Sequence, residues 1–110
     1  MKKEINAYIE DIRFSILRIE FHIREVLSFA DFKLSYTVYD AVERRLAIIG
    51  EAMWQINKID PEIVFTGKAK IIGLRYILTH DYDFVNAEII WKILQNNIPL
   101  LKQETDKYLK

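Results

Sequence analysis

The spacing of the apolar residues constrains the fold of this chain more than any other feature. Isoleucine, leucine and valine recur every three or four positions through most of the 110 residues, starting with Ile5, Ile9, Ile12, Ile16 and Ile19. This spacing is typical of one face of an amphipathic helix. No segment keeps the alternation of period two that marks a half-buried strand. We therefore predict an all-α fold, an antiparallel bundle of four to five helices that forms a single domain over residues 1–110.

The helix boundaries follow from the same spacing and from capping residues. The predicted segments are, in order, a helix over 5–29, a helix from Ser35 or Thr37 to about residue 59, a short helical turn over 62–65 begun by Asp60, a helix from about residue 68, and a last helix capped by Asp83 or Asn86 that runs to about residue 108. Pro99 should kink or interrupt that last helix.

Gly50 lies inside the second helix, where glycine costs about 1 kcal/mol relative to alanine. We interpret it as the position of a close helix crossing.

Composition excludes several classes of protein. Sixteen basic residues balance sixteen acidic ones, so the net charge of zero argues against a broad basic surface for nucleic acid and leaves only a local patch. The absence of cysteine removes disulfides, thiolate zinc sites and a cysteine nucleophile. The sequence has neither a signal-peptide core after Met1 nor an apolar run long enough to span a membrane. We expect a cytoplasmic protein with no membrane partner.

One short segment concentrates reactive side chains. Arg75, His80 and Tyr82 lie within eight residues, at the predicted junction of a helix and a loop. An imidazole titrates near neutral pH, so His80 could take a proton from an RNA 2′-hydroxyl or protonate the leaving oxygen. Arg75 could hold the phosphate through two hydrogen bonds, and Tyr82 could bind phosphate or stack on a base. These residue types suit phosphodiester cleavage without a metal.

Helix geometry tests this hypothesis. At about 100° per residue, Arg75 and Tyr82 lie within ~20° of one another with Thr79 beside them, whereas His80 is about 140° from Arg75. A single regular helix therefore does not direct Arg75 and His80 to one phosphate. Either the helix ends or distorts around Thr79, or the same segment of a second subunit completes the site.

Structural roles remain as alternatives for these residues. An arginine, a histidine and a tyrosine at a helix end can form a structural network that also complements the helix dipole. Glu51, which follows Gly50, is either a plain surface residue or a residue that approaches Arg75 and orients it. With only two histidines, His22 and His80, and no cysteine, no metal site is predicted.

The segment Arg75-x-x-x-x-His80-x-Tyr82 resembles a known motif. It matches the Arg-x4-His-x-Tyr pattern of the HepT-like toxins, a branch of the HEPN superfamily of helical ribonucleases. The flanking sequence is similar as well, over roughly residues 5–102. The matching stretches are Ala41-Val42, Ile49-Gly50-Glu51-Ala52, Ile72-Gly73-Leu74, Trp91-Lys92-Ile93 and Ile98-Pro99-Leu100-Leu101.

The resemblance implies a function, a partner and an assembly. It implies a toxin of a toxin–antitoxin pair, a two-fold homodimer whose facing motifs form an endoribonuclease site that needs no cofactor for RNA cleavage. The implied partner is a minimal nucleotidyltransferase antitoxin of the MntA kind, which uses ATP and magnesium to transfer AMP to the tyrosine of the motif.

By the same resemblance, Arg75 and His80 are catalytic, and Tyr82 contacts substrate and is modified. Candidate supporting residues are Glu51, Tyr76, Thr79 and Asp81. Tyr76 departs from the family pattern, because relatives commonly have asparagine after the arginine. The alternative function is a non-catalytic helical subunit that binds a nucleotidyltransferase or nucleic acid.

Overall fold

The computed structural model describes residues 3–80 and 87–109, and for residues 77, 79 and 80 it describes the backbone alone. These residues form six α-helices and no β-strand. The helices are α1 Lys3–Ile23, α2 Phe29–Leu34, α3 Tyr36–Ile59, α4 Lys68–His80, α5 Ala87–Asn96 and α6 Ile98–Tyr108. The all-α prediction is confirmed, with more and shorter helices than the four or five expected.

The first predicted helix is shorter than expected and is followed by a separate one. α1 ends at Ile23 and not near Phe29. Ser28 begins the new helix α2, since it has extended backbone angles and its hydroxyl accepts a hydrogen bond of 3.2 Å from the Asp31 amide. A serine N-cap of this kind satisfies an amide that has no partner within the helix. The same serine that begins α2 therefore rules out one continuous helix.

The last predicted helix is also divided, here as expected. α5 ends at Asn96 and α6 starts at Ile98, with Pro99 in its first turn, where the missing N–H of proline is harmless. This confirms the predicted interruption at Pro99. The predicted caps Asp83 and Asn86 lie outside the described residues.

The connection between α3 and α4 corrects one prediction. Residues 62–65 do not form the predicted helical turn. The Asp60 carboxylate accepts a hydrogen bond of 3.1 Å from the Glu62 amide, which closes a local turn and does not start a helix. Gly67 follows with a φ of +77°, a left-handed conformation that favours glycine, and its carbonyl accepts the first hydrogen bond of α4.

The buried apolar residues form one core to which all six helices contribute. α3 packs against α1 on one side and α4 on the other, while α6 packs against α1 and α5. Ion pairs show that α1 and α6 are antiparallel, because Arg13 pairs with Asp106 and Glu20 pairs with Lys102. α3 therefore lies at the centre of the bundle and presents part of its surface to α4.

None of the helices in the described ranges is both long and apolar enough to cross a membrane.

Candidate functional site

The candidate site begins at a close crossing of α3 and α4. A Cβ atom placed on Gly50 of α3 would lie 2.5 Å from the Cβ of Arg75 and 2.9 Å from the carbonyl oxygen of Ile71, both in α4. These distances are shorter than van der Waals contact, so only glycine permits this approach. The prediction that Gly50 marks a helix crossing is confirmed, and the residue on the opposite side of the crossing is Arg75.

Two side chains of α3 hold Arg75 at this crossing. Arg75 Nη1 donates a hydrogen bond of 2.8 Å to Glu51 Oε2, and the guanidinium carbon lies 4.9 Å from the centre of the Trp54 ring. The second oxygen of Glu51 accepts a hydrogen bond of 3.2 Å from Gln55. A guanidinium that is both ion-paired and stacked on an indole is restricted in orientation. Of the two interpretations of Glu51, the structure shows the one in which it contacts Arg75.

Arg75 lines an open cavity of about 410 Å³ between α1, α3 and α4. The cavity combines charged side chains from α1, α3 and α4 with an apolar surface. Its lining residues are Tyr8, Asp11, Asp40, Glu43, Arg44, Ala47, Ile48, Glu51, Ala52, Arg75 and Leu78. A concave, partly apolar surface with a few charged groups is the usual form of a ligand site.

Burial changes the titration of one cavity residue and its neighbour. Burial raises the pKa of the Glu43 carboxyl, and the charge of Asp40 raises it further, while a hydrogen bond from the Tyr39 hydroxyl lowers it. Burial also raises the pKa of Tyr39, to which the charge of Glu43 and the hydrogen bond both add. The protonated form of Glu43 is therefore favoured in the folded protein relative to the free side chain.

The backbone of α4 is helical from Arg75 as far as His80, where the described part of this helix ends. Five residues along a regular helix correspond to a rotation of about 140°. The two routes that would bring His80 to Arg75, an end or distortion of the helix around Thr79 and completion of the site by a second subunit, both stay predictions.

The other predicted site residues lie outside the cavity or outside the part of the chain whose side chains are described. Tyr76 is 57% exposed and does not line the cavity, as expected for a residue about 100° around α4 from Arg75. Thr79 and His80 are described by their backbone alone, and Asp81 and Tyr82 lie outside the described residues.

Several residues of the site were missed in the sequence. Trp54 lies three residues after Glu51, so both lie on the same side of α3. Asp40, Arg44 and Ile48 follow one another at intervals of four residues, so they lie on one side of α3. Two of these three residues are charged and lie beside the apolar residues of the helix. The contribution of Tyr8 and Asp11 had no comparable signal, because it depends on how α1 packs against α3.

In the part of the chain that the structure describes, no three histidine or acidic side chains are grouped so that they could hold a metal ion.

Comparison with known proteins identifies the class of this chain. The family model described as ribonuclease HepT-like matches residues 5–108. A protein of Thermococcus cleftensis named "Probable ribonuclease HepT" is 36% identical over 114 residues, which cover 100% of both chains. Proteins named "Putative RNase" match from Caldanaerobacter subterraneus, at 35% identity over 98% of this chain and 96% of the relative, and from Methanocaldococcus jannaschii, at 32% identity over 99% and 90%. No solved structure shows a significant match.

These matches define the chain first as an endoribonuclease. It belongs to the HepT-like ribonuclease family, which confirms the resemblance drawn from the Arg75 to Tyr82 segment.

Proposed function

We propose that this protein is the toxin of a toxin–antitoxin pair, a metal-independent endoribonuclease that acts as a two-fold homodimer and is silenced by AMP transfer to Tyr82. One observation carries the proposal. Arg75 is fixed by Glu51 and Trp54 at the edge of a cavity, and His80 follows on the same helix in a chain of the HepT-like family.

Arg75 supplies charge for the cleavage step. A guanidinium donates hydrogen bonds to two phosphate oxygens at once and stabilises the negative charge that develops on them. Its own side chain is 20% exposed, so it is accessible to a phosphate while its ion pair is partly shielded from water. Glu51 acts as a positioning residue that limits the directions Arg75 can take.

His80 supplies the proton transfer. In the proposed reaction, the ribose 2′-oxygen loses its proton to a base and attacks the neighbouring phosphorus, and the bond from phosphorus to the 5′-oxygen breaks as that oxygen receives a proton from an acid. The His80 imidazole serves as the base or the acid, and water serves as the other. The products are a 2′,3′-cyclic phosphate and a 5′-hydroxyl, and no metal ion is required to balance charge. We place His80 of one protomer together with Arg75 of its partner, since five residues along a regular helix correspond to a rotation of about 140°.

AMP transfer to Tyr82 explains neutralisation. The antitoxin would catalyse attack of the tyrosine oxygen on the α-phosphorus of ATP, with magnesium assisting departure of pyrophosphate. Each adenylate adds negative charge and bulk close to the catalytic segment, and both oppose entry of an RNA phosphate. RNA is thereby excluded without any change in the fold.

The test of cleavage compares the two histidines of the chain. His80→Ala should abolish cleavage of defined RNAs and growth inhibition in cells, whereas His22→Ala, at the other end of the sequence, should cleave like wild type. Wild-type cleavage should also persist in excess chelator. Full activity of the His80→Ala protein, with its fold and dimer verified, would contradict the assignment.

The test of neutralisation is mass spectrometry after co-expression with the nucleotidyltransferase. We expect additions in multiples of AMP on Tyr82, their loss in Tyr82→Phe, and their retention in Tyr36→Phe, a control at an exposed tyrosine. An unmodified Tyr82 in a fully neutralised protein would indicate masking by complex formation instead.

A further inference from the structure

The cavity beside Arg75 carries more negative charge than an RNA phosphate alone would favour. Four of its lining residues are acidic and two are basic. Glu51 is paired with Arg75, which leaves Asp11, Asp40 and Glu43 against Arg44. None of these four groups forms an ion pair with another residue in the described ranges. Carboxylates repel a phosphate, so their presence here indicates a ligand group that donates hydrogen bonds.

The remaining lining of the cavity suits a partly apolar group. Ala47, Ile48, Ala52 and Leu78 provide aliphatic surface and Tyr8 provides an aromatic ring. A volume of about 410 Å³ lies within the range of about 300–1,000 Å³ that is usual for small-molecule sites. A nucleobase with its ribose combines the flat apolar faces and polar edges that such a lining can accept.

We propose that this cavity is a subsite for a guanine base of the RNA substrate. Guanine has two adjacent donors, N1–H and the N2 amino group, which fit the two oxygens of the Asp40 carboxylate. Its O6 and N7 are acceptors that an arginine binds with two hydrogen bonds, and Arg44 is in the same lining. Adenine, cytosine and uracil each lack two adjacent donor groups, so they make fewer hydrogen bonds with one carboxylate than guanine does.

The subsite also explains why acidic and basic side chains line the same cavity. Arg75 lines the same cavity, so a guanine held there would place a neighbouring phosphate close to the guanidinium. The carboxylates would then select the base while Arg75 binds the backbone. The idea that the base belongs to the cleaved RNA rests on the proposed function, but binding of guanine itself does not.

The test measures binding in the absence of cleavage. The His80→Ala protein is titrated with 5′-GMP, 5′-AMP, 5′-CMP and 5′-UMP by calorimetry or by NMR shifts. We expect GMP to bind at least about tenfold more tightly than the other three. Inosine 5′-monophosphate, which lacks only the N2 amino group, should bind more weakly than GMP.

Variants assign the preference to the cavity. The double change Asp40→Asn with Glu43→Gln should remove the preference for GMP, whereas Glu62→Gln, an exposed glutamate in the connection between α3 and α4, should keep it. Equal binding of all four nucleotides, or a GMP preference that survives the double change, overturns the subsite. So does the finding that no nucleotide binds while the double change weakens association with a protein partner, because the carboxylates would then receive a basic side chain of that partner.

The outcome is separable from that of the proposed function. A GMP preference in a protein that cleaves no RNA would retain the subsite and reject the nuclease. RNA cleavage by wild type without a GMP preference would retain the nuclease and reject the subsite. Where both hold, replacing guanosine by inosine in a cleaved RNA should raise KM more than it lowers kcat, since the lost contact serves binding.

Discussion

Among the described residues, two arginine–carboxylate pairs join neighbouring helices of this bundle, and one of them belongs to the candidate site. Arg13 of α1 pairs with Asp106 of α6, and Arg75 of α4 pairs with Glu51 of α3. Their exposures are similar, at 28% and 49% for the first pair and 20% and 48% for the second. Partly exposed pairs of this kind contribute only about 0–1 kcal/mol to stability. Their contribution to stability therefore does not distinguish the two pairs.

The surroundings of the two pairs differ more than the pairs themselves. Arg75 also stacks on Trp54, lies against Gly50 and lines the cavity. Arg13 does not line this cavity. An ion pair therefore indicates function when other groups restrict its orientation and a ligand can reach it, since the pairing by itself is the same in both places.

The largest predicted effect separates the two arginines by activity. Arg75→Ala should lower RNA cleavage about 100-fold or more, because it removes the group that stabilises developing charge on phosphate. Arg13→Ala should leave kcat and KM for the same RNA close to wild type. Both proteins are assayed at equal concentration, after circular dichroism has verified the helical content.

Equal losses in the two variants would contradict the comparison, since they would indicate that each arginine acts through the stability of the bundle. A loss confined to Arg75→Ala that Arg75→Lys only partly restores would support a role for the planar, two-point contact of guanidinium.

The sequence predicted the helices correctly where the apolar periodicity was strong. The prediction was wrong where a single side chain determined a helix boundary. The extents of α3 and α4 follow from residues spaced by three and four positions. The division between α1 and α2 depends on the Ser28 hydroxyl binding one amide, and serine has many other uses in a sequence. The turn at Asp60 failed for a related reason, because a carboxylate before proline can cap a helix or close a turn, and only the local backbone distinguishes them.

The sequence predicted the site residues that lie close together along the chain, and it did not predict the contacts between helices. The Arg75 segment was evident because its members lie close together in sequence, and Gly50 with Glu51 was found because glycine is unusual inside a helix. Trp54 lies on α3, and the cavity residues come from α1, α3 and α4. Their proximity to Arg75 results from how these three helices pack against one another, which no local spacing determines.

The next prediction tests the crossing itself with two glycines. Gly50→Ala should destabilise the protein by about 1–3 kcal/mol, because its Cβ would overlap α4 beside Arg75. Gly73→Ala is the matched control, since a Cβ there meets no atom within 4 Å among the described residues, and alanine should gain up to about 1 kcal/mol in helix propensity. Urea unfolding of both variants measures these opposite signs. A Gly50→Ala protein as stable as wild type would show that the close approach is not required.

A smaller effect is predicted for the carboxylates of the two pairs. Glu51→Gln keeps the shape of the side chain but removes the charge that orients Arg75, so kcat should fall about tenfold with little change in KM. Asp106→Asn, the same change in the other pair, should leave kcat unaltered. A rise in KM alone for Glu51→Gln would mean that the residue contributes to RNA binding and does not position Arg75.

The smallest predicted effect is a pH dependence of the free energy of unfolding that arises from Glu43, a cavity residue of α3. Burial raises the pKa of Glu43 in the folded protein above its ordinary value of 4.5, so the folded state binds more protons than the unfolded state over the interval between the two values. The free energy of unfolding should therefore fall as pH rises through that interval. Glu43→Gln should remove this part of the slope in urea unfolding measured at closely spaced pH values. Tyr39→Phe should extend to higher pH the interval over which the free energy of unfolding falls, because the tyrosine hydrogen bond lowers the pKa of Glu43. An unchanged slope in Glu43→Gln would show that the carboxyl is as well solvated in the folded protein as in the unfolded chain.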